Sequence, residues 1–167
     1  MSYEIRVNSL ADGDYAEVGV YKGHGAERIA GWMNPDGRLW LFDSFQGHGE
    51  PGEFDDAVNH PRGRYSDNSI VEVQARCPKG NIIVGFVPAS LYFVAAIPFR
   101  FVRIDVDHYA PTKAACEFFM PRMVKGGVIE FDDYGVTTCE GATKAIDEVF
   151  GKQDVLPAPP FPHWVAP

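Results

Sequence analysis

Two short strings carry most of the chemical potential of this 167-residue chain: Arg103-Ile104-Asp105-Val106-Asp107-His108 and Glu130-Phe131-Asp132-Asp133-Tyr134. Each reads as an apolar β-type run that ends in acids. Sequential strands of a βαβ unit are usually neighbours, so these ends fall side by side and bring Asp105, Asp107, Asp132 and Asp133 to one spot. Carboxylates at such range repel one another unless a proton or a cation intervenes. An all-oxygen donor set suits Mg²⁺, Ca²⁺ or Mn²⁺ rather than zinc. His108, next to the acids, could hydrogen-bond a substrate or share the work of a base. Two weaker signals lie upstream. Glu17-Val-Gly-Val-Tyr-Lys-Gly-His-Gly25 is a glycine-rich turn after a strand, where a backbone can approach a cofactor closely. It has neither the P-loop pattern nor the GxGxxG spacing of dinucleotide sites. Asp43 ends the next strand, a place from which an acid can accept hydrogen bonds from both hydroxyls of a ribose.

The elements that must position these residues alternate along the chain. Strands are expected over 15–20, 39–42, 82–84, 99–106 and 128–131, and helices over 26–33, 68–75 and 112–124, the last kinked at Pro121. Gly126-Gly127 reads as the turn before the fifth strand. A final helix carries Ala142, Ala145, Ile146, Val149 and Phe150 on one face, with Thr137 and Glu140 at capping-box spacing and Gly151 just past its end. Such alternation implies an α/β fold: a mostly parallel twisted sheet with helices on both faces, and a proline-rich tail (Pro157, Pro159, Pro160, Pro162, Pro167) that returns as a last strand. Ligands of such sheets sit beyond the carboxyl ends of the strands. The strand-end residues are then 19–25, Asp43-Ser44, Gly85-Phe86, 105–108 and Asp132-Asp133. A loop over 46–67 covers that edge, with Phe54 and Tyr65 as contacts for a substrate. His48, His60 and His163 are read as loop residues without a chemical role.

Composition bounds the rest. There are 15 basic and 23 acidic side chains, a net charge of −8 and a pI near 5.0, which argue against a general phosphate-binding surface and so against nucleic acid as a partner. Three scattered cysteines, Cys77, Cys116 and Cys139, with no CxxC pair suggest neither a disulfide framework nor a zinc site, and fit a reducing cytoplasm. No signal peptide is visible in Met1 to Asn8. The uncharged run 81–99 is broken by Gly85, Pro88, Ser90 and Pro98, so it reads as a buried strand followed by an apolar surface segment suited to a contact in a homo-oligomer, not as a membrane span.

Five strings in this order, Glu17-Val-Gly-Val-Tyr-Lys-Gly23, Leu41-Phe-Asp-Ser-Phe45, Gly85-Phe-Val-Pro-Ala-Ser-Leu91, Arg103-Ile-Asp-Val-Asp-His-Tyr109 and Gly126-Gly-Val-Ile-Glu-Phe-Asp-Asp-Tyr-Gly135, resemble the macrocin-type sugar O-methyltransferases of natural-product pathways. The similarity runs from about Asp14 to Phe150. It implies a class I, Rossmann-like fold that binds S-adenosylmethionine (SAM). The residues it assigns to the cofactor are Glu17, Gly19, Tyr21, Gly23, Asp43, Ser44, Gly85 and Asp105. It assigns Asp105, Asp132 and Asp133 to a divalent metal, usually Mg²⁺, and Asp107 to the base, with His108 as second candidate. The division of labour between Asp105 and Asp107 stays open. The chain departs from the family pattern at Gly23-His24-Gly25, at His108 and at Ala110-Pro111-Thr112. It reads as a single core domain over 1–167 without the N-terminal lid helices that relatives commonly carry. The implied acceptor is a hydroxyl of a small molecule, either a sugar-like vicinal diol or a catechol. Asp133, where catechol enzymes usually place Asn, favours the sugar. The competing expectation is a SAM- or nucleotide-binding module without turnover. An NAD-type domain is disfavoured by the missing GxGxxG.

Overall fold

Alternating side chains divide the apolar residues between the two faces of one sheet. Along Asp14–Val18 (β1), Ala16 and Val18 enter one core while Tyr15 enters the other. Along Leu39–Asp43 (β2), Phe42 joins the first core, and Leu39 and Leu41 join the second. This is the period-two pattern of strands covered on both sides. The computed structural model, which describes residues 3–10, 12–157 and 160–167, adds Gly80–Val84 (β3), Phe99–Ile104 (β4), Met123–Phe131 (β5) and His163–Val165 (β6). The strand order is β3-β2-β1-β4-β5-β6. All neighbours pair in parallel except β5 and β6, which are antiparallel. The order reverses between β1 and β4, and ligands of open α/β sheets bind beyond the strand ends at such a switch point.

Helices cover both faces. His24–Trp32 (α2) and Ile70–Arg76 (α3) supply Ala26, Ile29 and Val73 to one core, where Val7 of Tyr3–Asn8 (α1) also lies. Tyr109–Phe119 (α4) and Glu140–Phe150 (α5) supply Ala115, Cys116, Phe119, Ile146 and Phe150 to the other.

Several local expectations are corrected. The helix expected over 112–124 ends at Phe119 and passes through a 3₁₀ turn at Met120–Arg122, because Pro121 cannot continue an α-helical ladder. Gly126-Gly127 is no turn: both glycines lie inside β5, where the register with β4 shifts between Phe99 and Phe101, and the Gly126 N–H reaches the Ala166 carbonyl of the tail. Thr137 does not cap α5. Cys139 is the N-cap and gives no side-chain cap hydrogen bond, since its thiol faces His60 and Asp107 instead. The strand at 82–84 is the outermost of the sheet and only half-buried. The 3₁₀ segment Ala89–Val94 after it buries Leu91 and Val94 but leaves Tyr92 and Phe93 68% and 77% exposed. No helix among the described residues is long and apolar enough to cross a membrane. The final strand is present as β6. Pro159 of the tail lies outside the described residues, as do Met1, Ser2, Ala11 and Ala158.

Gly19 fixes how tightly the first turn can follow β1. Its φ is +85°, and a Cβ there would sit 1.7 Å from the Asp105 carbonyl oxygen. The Gly19 and Asp105 amides donate to Phe42 and Val18 carbonyls, so β1, β2 and β4 leave the sheet through one point. Gly19→Ala is expected to cost about 2–4 kcal/mol by combining a left-handed non-glycine with a backbone clash. A urea titration by circular dichroism measures it.

Candidate active site

The registers Glu17↔Arg103 and Arg103↔Glu130 place a charged row across β1, β4 and β5 on the face covered by α2. Arg103 is its hub. Its Nη1 meets Glu130 Oε1 at 2.6 Å, Nη2 meets Asp105 Oδ2 at 2.9 Å and Asp132 Oδ1 at 2.5 Å, and Nε faces Glu17 Oε1 at 3.2 Å. Arg28 of α2 also pairs with Glu130. Since Asp105 and Asp132 follow Arg103 and Glu130 by two residues, the row runs straight to the strand ends.

Glu17 is fully buried against Gly25, where a Cβ would approach its Oε1 to 1.8 Å, and its Oε2 has no hydrogen-bond partner among the described residues. Burial, opposed by the Arg103 and Arg28 charges, pushes its carboxyl up to about 8. Glu17 therefore holds a proton at neutral pH, and the closer contacts of Arg103 are with Glu130, Asp105 and Asp132. The folded state favours neutral Glu17. This contribution is fully present below the unfolded carboxyl pKa and is lost as pH rises toward about 8. Glu17→Gln is expected to remove ~3–5 kcal/mol of that loss. Thermal melts of both proteins between pH 5 and 8 would converge at the acid end and separate at the other, the variant being the more stable.

Beyond the strand ends lies a cleft of about 480 Å³. Its floor holds Gly19, Asp105, Asp107, Asp132 and Asp133, and Tyr21, Asp43, Ser44, Gly85, Tyr65 and His48 line its walls. Three non-glycine residues on its lining hold a left-handed backbone: Tyr21 (φ 49°), Tyr65 (φ 65°) and Asp107 (φ 58°). Backbone outliers of this kind cluster at functional sites, where surrounding contacts hold them in place.

Of the residues expected to serve a cofactor, the cleft gathers Gly19, Tyr21, Asp43, Ser44, Gly85 and Asp105. It does not gather Glu17, which lies in the charged row, or Gly23, which packs against Val73 and Arg76. Asp43 lines the wall, but its carboxylate accepts from four protein donors: the Val20 and Tyr21 amides at Oδ2, the Phe45 amide and the Asn68 amide group at Oδ1. That fills the roughly four acceptor positions of a carboxylate, so the expected pair of ribose bonds meets an occupied group.

Asp105, Asp132 and Asp133 offer oxygens within 4.8 Å of one another. Burial and the nearby Asp107 charge push Asp133 up to about 7, and burial raises Asp105 well above the usual carboxylate range with help from Asp133 and Asp132, although Arg103 opposes it. Arg103 contacts Asp105 and Asp132, while Asp107 faces His48 and His60. The all-oxygen donor set of Asp105, Asp132 and Asp133 fits a hard divalent cation.

Asp107 is held from all sides. Its amide donates to Asp133 Oδ2 at 2.9 Å, His48 Nε2 lies 2.9 Å from Oδ2, and His60 Nδ1 lies 3.3 Å from Oδ1. Burial would raise its pKa, but the His48 hydrogen bond and the two imidazoles outweigh this and keep it low. His108 is buried, with Nε2 hydrogen-bonded to the His60 carbonyl at 2.9 Å, so that nitrogen holds the loop. His48 and His60, read from sequence as idle loop residues, are the histidines that meet Asp107, and His163 lies in β6 opposite Glu130. No local motif joins positions 48 and 60 to 107, and only the folded loop does. That loop is tied down: His48 and Arg64 pair through their backbones, Asp55 accepts the Tyr109 amide at 2.7 Å, and Lys22 and Tyr21 bind Asp67. Tyr65 reaches the cleft, whereas Phe54 packs edge-on against Tyr109, with ring centroids 4.8 Å apart, and does not line it.

The sheet order and the acid-floored cleft at its switch point define an α/β domain built to hold a ligand over the ends of β1, β2, β4 and β5. Residues 16–134 match the family described as methyltransferase domain, and the chain belongs to that family. It is 28% identical to an 8-demethyl-8-(2,3-dimethoxy-α-L-rhamnosyl)-tetracenomycin-C 4′-O-methyltransferase of Streptomyces olivaceus, over 88% of this chain and 64% of that protein. It is 27% identical to a demethyldecarbamoylnovobiocin O-methyltransferase of Streptomyces niveus, over 89% of this chain and 62% of the relative. The chain thus spans a little under two thirds of the length of these relatives. The crystal structure of the calicheamicin methyltransferase CalS11 superposes with a TM-score of 0.80 at 22% identity, covering 97% of this chain and 75% of that one, which bears out the Rossmann-like fold.

Proposed function

We propose that this chain transfers a methyl group from SAM to a hydroxyl of a small molecule, a sugar or another vicinal diol, with a divalent cation held by Asp105, Asp132 and Asp133. The observation that carries this reading is the meeting, in one cleft, of those three acids, the Gly19 turn and the ionised Asp107. Two relatives whose names describe O-methylation of antibiotics, one of them on a rhamnosyl group, support the acceptor class. When bound, the cation would lower the pKa of an acceptor hydroxyl and orient it.

The chain's own residues supply the rest. Gly19 lets the backbone come close to the cofactor, and Asp43 fixes that turn by gripping the Val20 and Tyr21 amides. Asp107 accepts the acceptor's proton, and its low pKa keeps it ready at neutral pH. The pinned 46–67 loop, through His48 and Tyr65, walls the cleft from water. Calorimetry with SAM, with and without Mg²⁺, tests the reading. Binding strengthened by an acceptor sugar supports it, and no heat at millimolar SAM ends it. The module without turnover predicts SAM binding but no methyl transfer to any diol.

A further inference from the structure

The acid triad is not the only cluster of ligating atoms. His48, His60 and Asp107 each offer one ligand atom, and these atoms lie within 4.8 Å of one another. The His48 Nε2 to Asp107 Oδ2 distance is 2.9 Å and the His60 Nδ1 to Asp107 Oδ1 distance is 3.3 Å. Donors around a tetrahedral zinc with bonds of about 2.0–2.1 Å stand about 3.3 Å apart. A plain hydrogen-bonded pair accounts for His48 and Asp107 but not for His60. His60 is buried to 5% exposure, and its Nδ1 faces the carboxylate without a hydrogen bond to any described residue. An orphaned, buried imidazole nitrogen pointing at a carboxylate is the arrangement that a metal ion completes.

The cluster is also built in advance. His48 is fixed by backbone bonds with Gly63 and Arg64, His60 by its amide on Asp56 and its carbonyl on His108, and Asp107 by Asp133. Cys139 places a sulfur 3.6 Å from Asp107 Oδ1 and 3.5 Å from His60 Nε2, so the surroundings are softer than those of the acid triad.

We infer that His48, His60 and Asp107 form a second cation site, selective for a zinc-class transition metal and separate from the oxygen-only triad. Imidazole nitrogen suits Zn²⁺, Co²⁺ or Ni²⁺ and is a poor ligand for Mg²⁺. The sequence hides this site because its histidines come from a long loop and its carboxylate from a strand end. One consequence rests on the proposed methyl transfer: a metal here takes the Asp107 carboxylate that would accept the proton, so zinc-class ions inhibit turnover that Mg²⁺ supports.

The site itself is tested without turnover. The full chain, with saturating Mg²⁺ present, is titrated with Co²⁺ and followed by its visible d–d absorption. Tetrahedral bands that saturate at one equivalent and bleach on adding Zn²⁺ are expected. His48→Gln and His60→Gln, checked for native circular dichroism, should each weaken Co²⁺ binding at least ~10-fold, judged against the cost of losing even an outer-shell partner. Asp132→Asn, in the other cluster, should leave it unchanged. Should either histidine variant not fold, X-ray absorption at the zinc edge of the wild-type chain decides, with imidazole scattering expected. Absent bands, unchanged affinity in folded histidine variants, loss of binding in Asp132→Asn, or a zinc edge without imidazole scattering would each overturn the assignment. Failure here leaves SAM binding untouched, so the two readings fail separately.

Discussion

Asp107→Asn is expected to lower kcat by ~10²–10⁴-fold, the range for removing a positioned general base, while the affinity for SAM stays the same. The substitution is selective because Asn is among the residues that tolerate a left-handed backbone, so the φ of 58° at this position persists. The amide to Asp133 belongs to the main chain and also persists. What disappears is the charge. His48 loses the carboxylate it faces, and the substrate proton loses its acceptor. Asp107 is held low by His48 and His60, so its loss should appear across the whole neutral range as a drop in rate, not as a shifted pH optimum. His108→Gln, by contrast, should act through the loop, because its Nε2 holds the His60 carbonyl. Its effect would fall on KM and on loop order more than on kcat. Steady-state kinetics on both variants, with SAM affinity measured separately, tells a base from a positioning residue.

The strand ends were legible because period-two alternation and terminal acids are local signals. Asp105, Asp132 and Asp133 meet as adjacent parallel strands require, and the switch-point rule located the cleft. Two things were not legible. One is the role of the 46–67 loop, whose histidines are brought to Asp107 by long-range contacts that leave no spacing pattern in the chain. The other is the direction of single side chains at a strand end. Glu17 and Gly19 are two residues apart, yet Gly19 faces the cleft and Glu17 is sealed behind the sheet against Gly25. Asp43 shows the same limit: its place at the end of β2 was readable, but the four amides that fill its carboxylate were not. Capping of α5 failed for a related reason, since Cys139 and not Thr137 begins the helix.

Arg103 stands in the sequence two residues before an acid pair, with no other mark, yet Arg103→Met is the substitution expected to cost the most stability. The guanidinium touches Glu17, Asp105, Glu130 and Asp132 at once, and its own side chain is almost wholly buried. Met keeps much of the length and apolar bulk but removes the positive charge. Breaking a buried ion pair by deleting one partner costs about 3–5 kcal/mol, because the remaining charge stays in a poorly solvated place. Here several acids remain, and each escapes by taking up a proton. Their pKa values rise in the folded variant, so its stability is retained below the unfolded carboxylate range and falls as pH climbs through neutrality. The deficit against wild type should thus be small near pH 5 and reach its full size by pH 8. Urea midpoints at both pH values measure it. A pH-independent deficit would mean that Arg103 acts by packing alone. The double variant Glu17→Gln, Arg103→Met separates the contributions further: removing the acid that burial already pushes up to about 8 should recover part of the loss, and the part not recovered is what Glu130, Asp105 and Asp132 require. The same charge balance links the fold to the cleft. Without Arg103, Asp105 and Asp132 lose the guanidinium that both contact, and a proton or a bound cation can take its place. The variant should therefore gain more stability from added Mg²⁺ than wild type does, by the linkage between binding and unfolding.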